Sequence, residues 1–118
     1  MDMNVRSGYV EIEFEGKVYP CKFGLNAFYL ATERNKINLS DVDTFSNVNK
    51  LLWFRDIVWG GIKSAAIARD LEHQNITPEL VGEMIDDFSE DQIESINDAL
   101  SNARLMGKQI NDKKLKKK

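Results

Sequence analysis

The sequence has few of the residues that build disulfides and metal sites, since its 118 residues include one cysteine and one histidine. A single cysteine excludes a disulfide within the chain. A zinc site needs about four Cys, His or acidic ligands at fixed spacing, and Cys21 and His73 are isolated from each other. No glycine-rich phosphate loop follows a predicted strand. We therefore expect no metal and no other cofactor.

Long apolar runs and a secretory leader are also missing. The most apolar segment, residues 51–62, is interrupted by Arg55 and Asp56 and is shorter than the roughly 20 residues that a membrane span needs. The N-terminal segment MDMNVRSG lacks the apolar stretch of a secretory signal. We expect a protein that is made and kept in the cytoplasm and does not contact a membrane.

Charge is divided unevenly along the chain. The net charge is −3, but residues 108–118 contain six lysines and one aspartate, so this end carries +5 and residues 1–107 carry −8. An acidic body disfavours nucleic acid as the main ligand, because phosphate contacts require clustered Lys and Arg. The lysine-rich end is predicted to be a flexible tail. It also supports an alternative function, a nucleic-acid-binding accessory or regulatory protein that uses this tail.

The first ordered segment is predicted to be a β-hairpin. Apolar residues alternate with glutamate in YVEIEF, which is the period of a strand with one solvent-facing side. A two-residue turn at residues 15–16 pairs Ile12 with Tyr19 and Val10 with Cys21, which places both apolar sets on one face. Because a lone hairpin is marginal in water, this face needs a helix to cover it.

Four helices are predicted after the hairpin, which gives an α+β class with one domain over residues 1–107. The first spans residues 25–35 and the long central helix spans about 47–70. Thr77 followed by Pro78 is a strong start signal for the third. The Ser-x-x-Gln pattern from Ser89 opens the fourth, which we expect Gly107 to end.

The central helix is apolar on nearly all sides, so it must be covered on several sides. A stripe through Leu51, Val58 and Ile62 is expected to dock on the hairpin and the first helix. The opposite stripe is predicted to contact a second copy or a client, and its residues are Trp53, Phe54, Ile57, Gly60, Gly61 and Ser64. The alternative is that the last two helices cover it. Arg55 falls among Leu51, Leu52 and Trp59 on the helical wheel. It is predicted to form a structural ion pair, with Glu33 as one candidate partner, and the alternative is an arginine that faces a partner protein.

Catalytic candidates have structural explanations. Cys21 lies in an apolar alternation, where a free cysteine behaves as a small hydrophobe, and His73 lies in a charged segment typical of a solvated helix end. An acidic row from Glu79 to Asp87 lies opposite an apolar stripe, as on the exposed face of an amphipathic helix. We expect no enzymatic activity and no catalytic residues. A hydrolase built on Cys21 is the remaining alternative.

Four segments in this order resemble a known family. They are the hairpin VEIEFEGKVY, the FG-led helix FGLNAFYLAT, the LLW-led apolar helix that ends in glycine, and the helix TPELVGEMID. Over about residues 9–100 the chain resembles the tail assembly chaperones of long-tailed phages and related gene transfer particles. The connection GGIKSAAIARDLEHQN departs from the family pattern.

The resemblance implies a non-enzymatic protein that binds the tape measure protein and keeps it soluble until the tail tube forms around it. It also implies self-association and a form that recruits the tail tube protein. Such a chaperone is expected in the host cytoplasm and not in the finished particle.

Overall fold

The fold combines a β-hairpin with four helices, so the predicted α+β class is confirmed. The computed structural model describes residues 8–35, 50–105 and 108–109 of the chain. The elements in chain order are β1 (Tyr9–Phe14), β2 (Lys17–Lys22), α1 (Leu25–Asn35), α2 (Lys50–Ala68), α3 (Pro78–Asp86), α4 (Glu90–Ser101), β3 (Arg104–Leu105) and β4 (Lys108–Gln109).

The hairpin has the predicted register. Val10 pairs with Cys21 and Ile12 with Tyr19 in an antiparallel ladder, and all four side chains are buried. The turn residues Glu15 and Gly16 have φ angles of 51° and 78°, which is the backbone that a two-residue hairpin turn requires. The alternating glutamates of β1 face solvent, so the sequence period and the burial agree.

Helix α2 lies at the centre of the fold and packs against β2, α1 and α3. Its residues Ile57, Val58 and Ile62 are completely buried. The indole of Trp59 donates a hydrogen bond of 2.9 Å to the carbonyl of Ile76, just before α3. This helix, which is apolar on nearly all sides, is therefore covered over much of its length by three other elements of the same chain.

Both predicted caps are present. The hydroxyl of Thr77 accepts a hydrogen bond of 3.2 Å from the amide of Leu80, and Pro78 occupies the first turn of α3. The hydroxyl of Ser89 accepts one of 3.0 Å from the amide of Gln92. These contacts satisfy amide groups that have no partner inside the helix, and so they fix where α3 and α4 begin.

Helix α4 is attached to the hairpin through Gln92. Its side-chain oxygen accepts from the amide of Glu13 at 3.5 Å, and its side-chain nitrogen donates to the carbonyl of Glu11 at 3.4 Å. The same nitrogen also donates to the hydroxyl of Ser95 within α4 at 3.3 Å. The structure uses this side chain to join α4 to the edge of β1.

The C-terminal part corrects the prediction that α4 extends to Gly107. The helix ends at Ser101, where both the backbone and the side-chain amide of Asn102 donate to the carbonyl of Asp98. A short hairpin of β3 and β4 follows, which the sequence did not predict. It includes Lys108 and Gln109, and the rest of the predicted flexible tail lies outside the described residues. Within the described chain, no helix is long and apolar enough to cross a membrane.

Candidate binding site

Three of the six predicted contact residues of α2 are inside the fold, which corrects their assignment to a surface. Ile57 is 0% exposed, and Gly60 and Gly61 are also buried. A methyl group on Gly60 would lie 2.6 Å from the carbonyl oxygen of Ala27 in α1. The close backbone approach that we predicted for a partner is made by the chain's own α1.

Gly61 faces the hairpin in the same way. A methyl group at this position would lie 2.5 Å from Sγ of Cys21 and 3.0 Å from the ring of Phe23. The predicted alternative, in which α3 and α4 cover this stripe, does not hold for these two glycines, since α1 and β2 cover them. The two glycines are therefore required by packing within the chain.

The other three predicted residues remain partly accessible. Trp53, Phe54 and Ser64 are half-buried, and the ring of Trp53 lies 6.4 Å from that of Phe28 on α1. The hydroxyl of Ser64 donates to the carbonyls of Gly61 and Lys22 at 3.3 and 3.4 Å. That these three contact a partner stays a prediction.

The first turns of α2 expose apolar side chains to solvent. Leu51 is 82% exposed and Leu52 is 44% exposed, although we expected Leu51 to dock on the hairpin. Together with half-buried Trp53 and Phe54 they form a run of four large apolar residues, here called the α2 entry cluster. Exposed large apolar side chains are candidates for an interaction site on a soluble protein.

A buried carboxylate lies one turn further along α2. Asp56 is 3% exposed, and its Oδ1 accepts from Nε of Arg55 at 2.9 Å and lies 3.6 Å from Nε of Arg34. Its Oδ2 accepts from the side chain of Asn35 at 3.1 Å. The prediction of a structural ion pair for Arg55 is confirmed, but Glu33 as its partner is wrong. The network attaches the end of α1 to α2.

A second accessible feature is an open groove between the start of α1 and the end of α2, with a volume of about 510 Å³. Small side chains of both helices line it, and Lys22 at the end of β2 and Arg69 just after α2 supply positive charge. Burial lowers the pKa of Lys22. Among the described residues that line this groove, none carries a carboxylate.

Tyr9 positions Arg69 at this groove. The Arg69 guanidinium lies 5.1 Å from the centre of the Tyr9 ring, and its Nη1 donates to the Tyr9 hydroxyl at 3.5 Å. Sequence reasoning did not identify the groove, because its two cations come from segments far apart in the chain. A local indication of the groove was the spacing of Ser64, Ala65 and Ala68. These are small residues on one face of α2, and they allow another element to approach that face closely.

Cys21 and His73 do not form a nucleophilic site. Cys21 is fully buried, with its Sγ 3.8 Å from the carbonyl of Val58, and burial raises the pKa of this thiol well above its ordinary value. A thiol that stays protonated is a poor nucleophile. The predicted core role of Cys21 is confirmed.

His73 is half-buried instead of solvated, which corrects its predicted environment. Its ring packs edge-on against Tyr19 with centres 4.8 Å apart, and neither ring nitrogen has a hydrogen-bond partner among the described residues. Burial and the nearby Lys17 lower the pKa of His73. In the part of the chain that the structure describes, no group of three His, Cys, Asp or Glu side chains could hold a metal ion.

Comparison of the chain with protein-family models, with curated proteins and with solved structures gives no match.

Proposed function

We propose that this chain is a non-enzymatic phage tail assembly chaperone, which binds the tape measure protein and keeps it soluble while the tail tube assembles. The observation that carries the proposal is the α2 entry cluster, where Leu51 and Leu52 are 82% and 44% exposed. An extended helical client carries apolar stripes that need to be covered before assembly, and an exposed apolar patch on a helix can cover them.

The charge of the exposed helices supports this role. Acidic side chains face solvent on α3 and α4, and they are Glu79, Glu83, Asp86, Asp87, Glu90, Asp91, Glu94 and Asp98. Net negative charge away from the apolar patch keeps a complex with an insoluble client dispersed, because like-charged complexes repel each other. An apolar contact surface on an acidic body is a suitable combination for a chaperone.

The order of the elements also supports the proposal. The four segments that resemble the tail assembly chaperones fall on the β1–β2 hairpin, α1, α2 and α3 in that order. The proposal includes what the resemblance implies: self-association, recruitment of the tail tube protein, and action in the host cytoplasm.

The test is co-expression with a phage tape measure protein, followed by measurement of the client's soluble fraction. The native chain is expected to raise that fraction, and the double variant Leu51→Gln/Leu52→Gln is expected to lose most of the effect. Both side chains are exposed, so the variant should keep its fold, which circular dichroism checks.

Val18→Gln is the matched control, because Val18 has the same 44% exposure as Leu52 but lies on the hairpin. It should protect the client as well as the native chain does. A client whose solubility is the same with and without this chain would overturn the proposal. Equal loss in Val18→Gln and in the double variant would remove the α2 entry cluster as its basis.

A further inference from the structure

The connection between α2 and α3 has a defined beginning and end. Asp70 has a φ angle of 57°, so the chain turns away from the direction of α2 at this residue. The amide of Ile76 donates to the carbonyl of His73 at 3.1 Å, which closes a turn, and Thr77 then caps α3. Backbone rotation at these two ends can therefore move residues 71–76, here called the α2–α3 connection, without unwinding either helix.

Two hydrogen bonds attach the α2–α3 connection to α2. The indole of Trp59 donates to the carbonyl of Ile76 at 2.9 Å, and the ammonium group of Lys63 donates to the carbonyl of Gln74 at 2.8 Å. Both acceptors are backbone carbonyls, so neither bond depends on an acceptor that mild acid protonates. These bonds hold the connection closed without making it sensitive to pH.

An ion pair attaches the same segment to β2. Nζ of Lys17 lies 2.9 Å from Oε2 of Glu72 and 5.5 Å from the centre of the Tyr19 ring. The hydrogen bond from Lys17 and its charge lower the pKa of Glu72. Glu72 therefore stays ionised in mild acid, and the ion pair does not respond to pH in this range either.

His73 is the group in the contact with β2 that titrates in mild acid. Its ring packs edge-on against Tyr19 with centres 4.8 Å apart, and both ring nitrogens are buried without a hydrogen-bond partner among the described residues. An imidazolium ion carries two N–H donors, which cost free energy when they are buried unpaired. Burial and the charge of Lys17 lower the pKa of His73, and Glu72 opposes them. The closed contact therefore favours the neutral ring.

We propose that the α2–α3 connection is an acid-sensitive switch, which detaches from β2 and from Trp59 when His73 is protonated. In the open state water hydrates the imidazolium, which removes the cost of burying it. Opening uncovers Tyr19, Trp59 and Ile76, which are only 8%, 8% and 7% exposed in the closed state. Mild acid thus adds apolar surface to this side of the fold. The inference goes beyond the proposed function and does not depend on it, because it concerns the chain alone.

The test is hydrogen exchange of the full chain at pH 7.5 and 5.0, measured by mass spectrometry and corrected for the intrinsic pH dependence of exchange. Because the open state binds more protons, the closed state is fully favoured above the ordinary histidine pKa of about 6.5 and is weakened below it. Protection of residues 70–77 should therefore fall several-fold at pH 5.0, while α1 keeps its protection. One histidine with that open-state pKa can account for a fall of about thirtyfold at most.

Variants of His73 and Glu72 separate the two contacts with β2. His73→Phe keeps an aromatic ring beside Tyr19 but cannot be protonated, so protection should be the same at the two pH values. His73→Gln is also neutral and repeats the test without the ring. Glu72→Gln is the control for the ion pair. It should reduce protection at both pH values and keep a fall at least as large as that of the native chain, because Glu72 raises the pKa of His73.

Tryptophan fluorescence reports the break from α2. The chain has two tryptophans, so Trp53→Phe leaves Trp59 as the reporter. Its emission should move to longer wavelength between pH 7.5 and 5.0, because opening transfers a buried indole to water. The shift should be absent from the double variant Trp53→Phe/His73→Phe.

Four results would overturn the inference. The first is equal protection of residues 70–77 at the two pH values in the native chain, and the second is a Trp59 emission that does not move. The third is a fall that persists in both His73→Phe and His73→Gln, or that exceeds about thirtyfold, since another titrating group would then be responsible. The fourth is a fall that is as large in α1 as in the connection, which would show that acid loosens the whole fold.

Discussion

Substitution of Gly60 by alanine tests the position of α2 most directly. The added methyl group would lie 2.6 Å from the carbonyl oxygen of Ala27 and 3.3 Å from its Cα. These are backbone atoms of α1, so no side-chain rotation relieves the contact, and the two helices must move apart. Overpacking of this kind costs about 1–3 kcal/mol.

Helix propensity acts in the opposite direction. Replacing glycine by alanine inside a helix gains about 1 kcal/mol, so the net effect of Gly60→Ala should be a loss of up to about 2 kcal/mol in the free energy of unfolding. For a chain of this size, that lowers the melting temperature by up to about 8 °C.

Gly82→Ala is the matched control, because it makes the same change inside α3 where there is room. The nearest atom to the added methyl group would be Cδ of Arg55 at 3.5 Å, an ordinary contact distance. This variant should gain up to about 1 kcal/mol. Thermal unfolding followed by circular dichroism separates the two variants by sign.

Light scattering on the same samples tests the earlier view of Gly60 as a partner contact. If Gly60 faced another copy, alanine would stabilise the monomer through helix propensity and weaken association. A Gly60→Ala variant that melts higher than the native chain and dissociates would therefore refute the packing of α1 on α2 described above.

Three further predictions concern buried groups. Ile57→Asp should yield an unfolded chain by circular dichroism, because Ile57 is 0% exposed and an unpaired buried charge costs several kcal/mol; a folded variant with weaker association would contradict this. Asp56→Ala should lower the free energy of unfolding by about 2 kcal/mol in urea titrations, since it removes hydrogen bonds to a charged group. An unchanged urea midpoint would show that the contacts of Asp56 with Arg55, Arg34 and Asn35 contribute little to stability. The pKa of His73 is lowered by burial and by Lys17, against an opposing effect of Glu72. The unfolded chain therefore binds more protons, so stability should be complete above the ordinary pKa of about 6.5 and fall as pH drops below it. Urea midpoints at pH 7.5 and 5.5 should differ more for the native chain than for His73→Phe, and parallel curves would refute this.

The local elements of this fold could be predicted from the sequence because short-range chemistry specifies them. The hairpin register follows from alternation on both strands and a two-residue turn, and α1 has the predicted bounds Leu25–Asn35. Thr77 and Ser89 start their helices through side-chain hydrogen bonds to amides three residues ahead. Each of these signals lies within a few residues of the feature that it determines.

Only the tertiary structure decided which surface of α2 is covered and by what. A helix that is apolar on all sides has no period that separates a core face from an interface, so Ile57 and Gly60 were placed on a surface and Leu51 in the core. The ion-pair partner of Arg55 was equally open, because a carboxylate on either side of the helix satisfies the same pattern.

The groove between α1 and α2 is also a feature that only the tertiary structure decided. Lys22, Arg69 and Tyr9 are brought together by the packing of the hairpin and α1 on α2, and nothing in their local sequence links them. The sequence by itself determined the elements and their caps, since these depend on neighbours along the chain. The packing of α2 decided the accessible sites, because a surface exists only where no other element covers it.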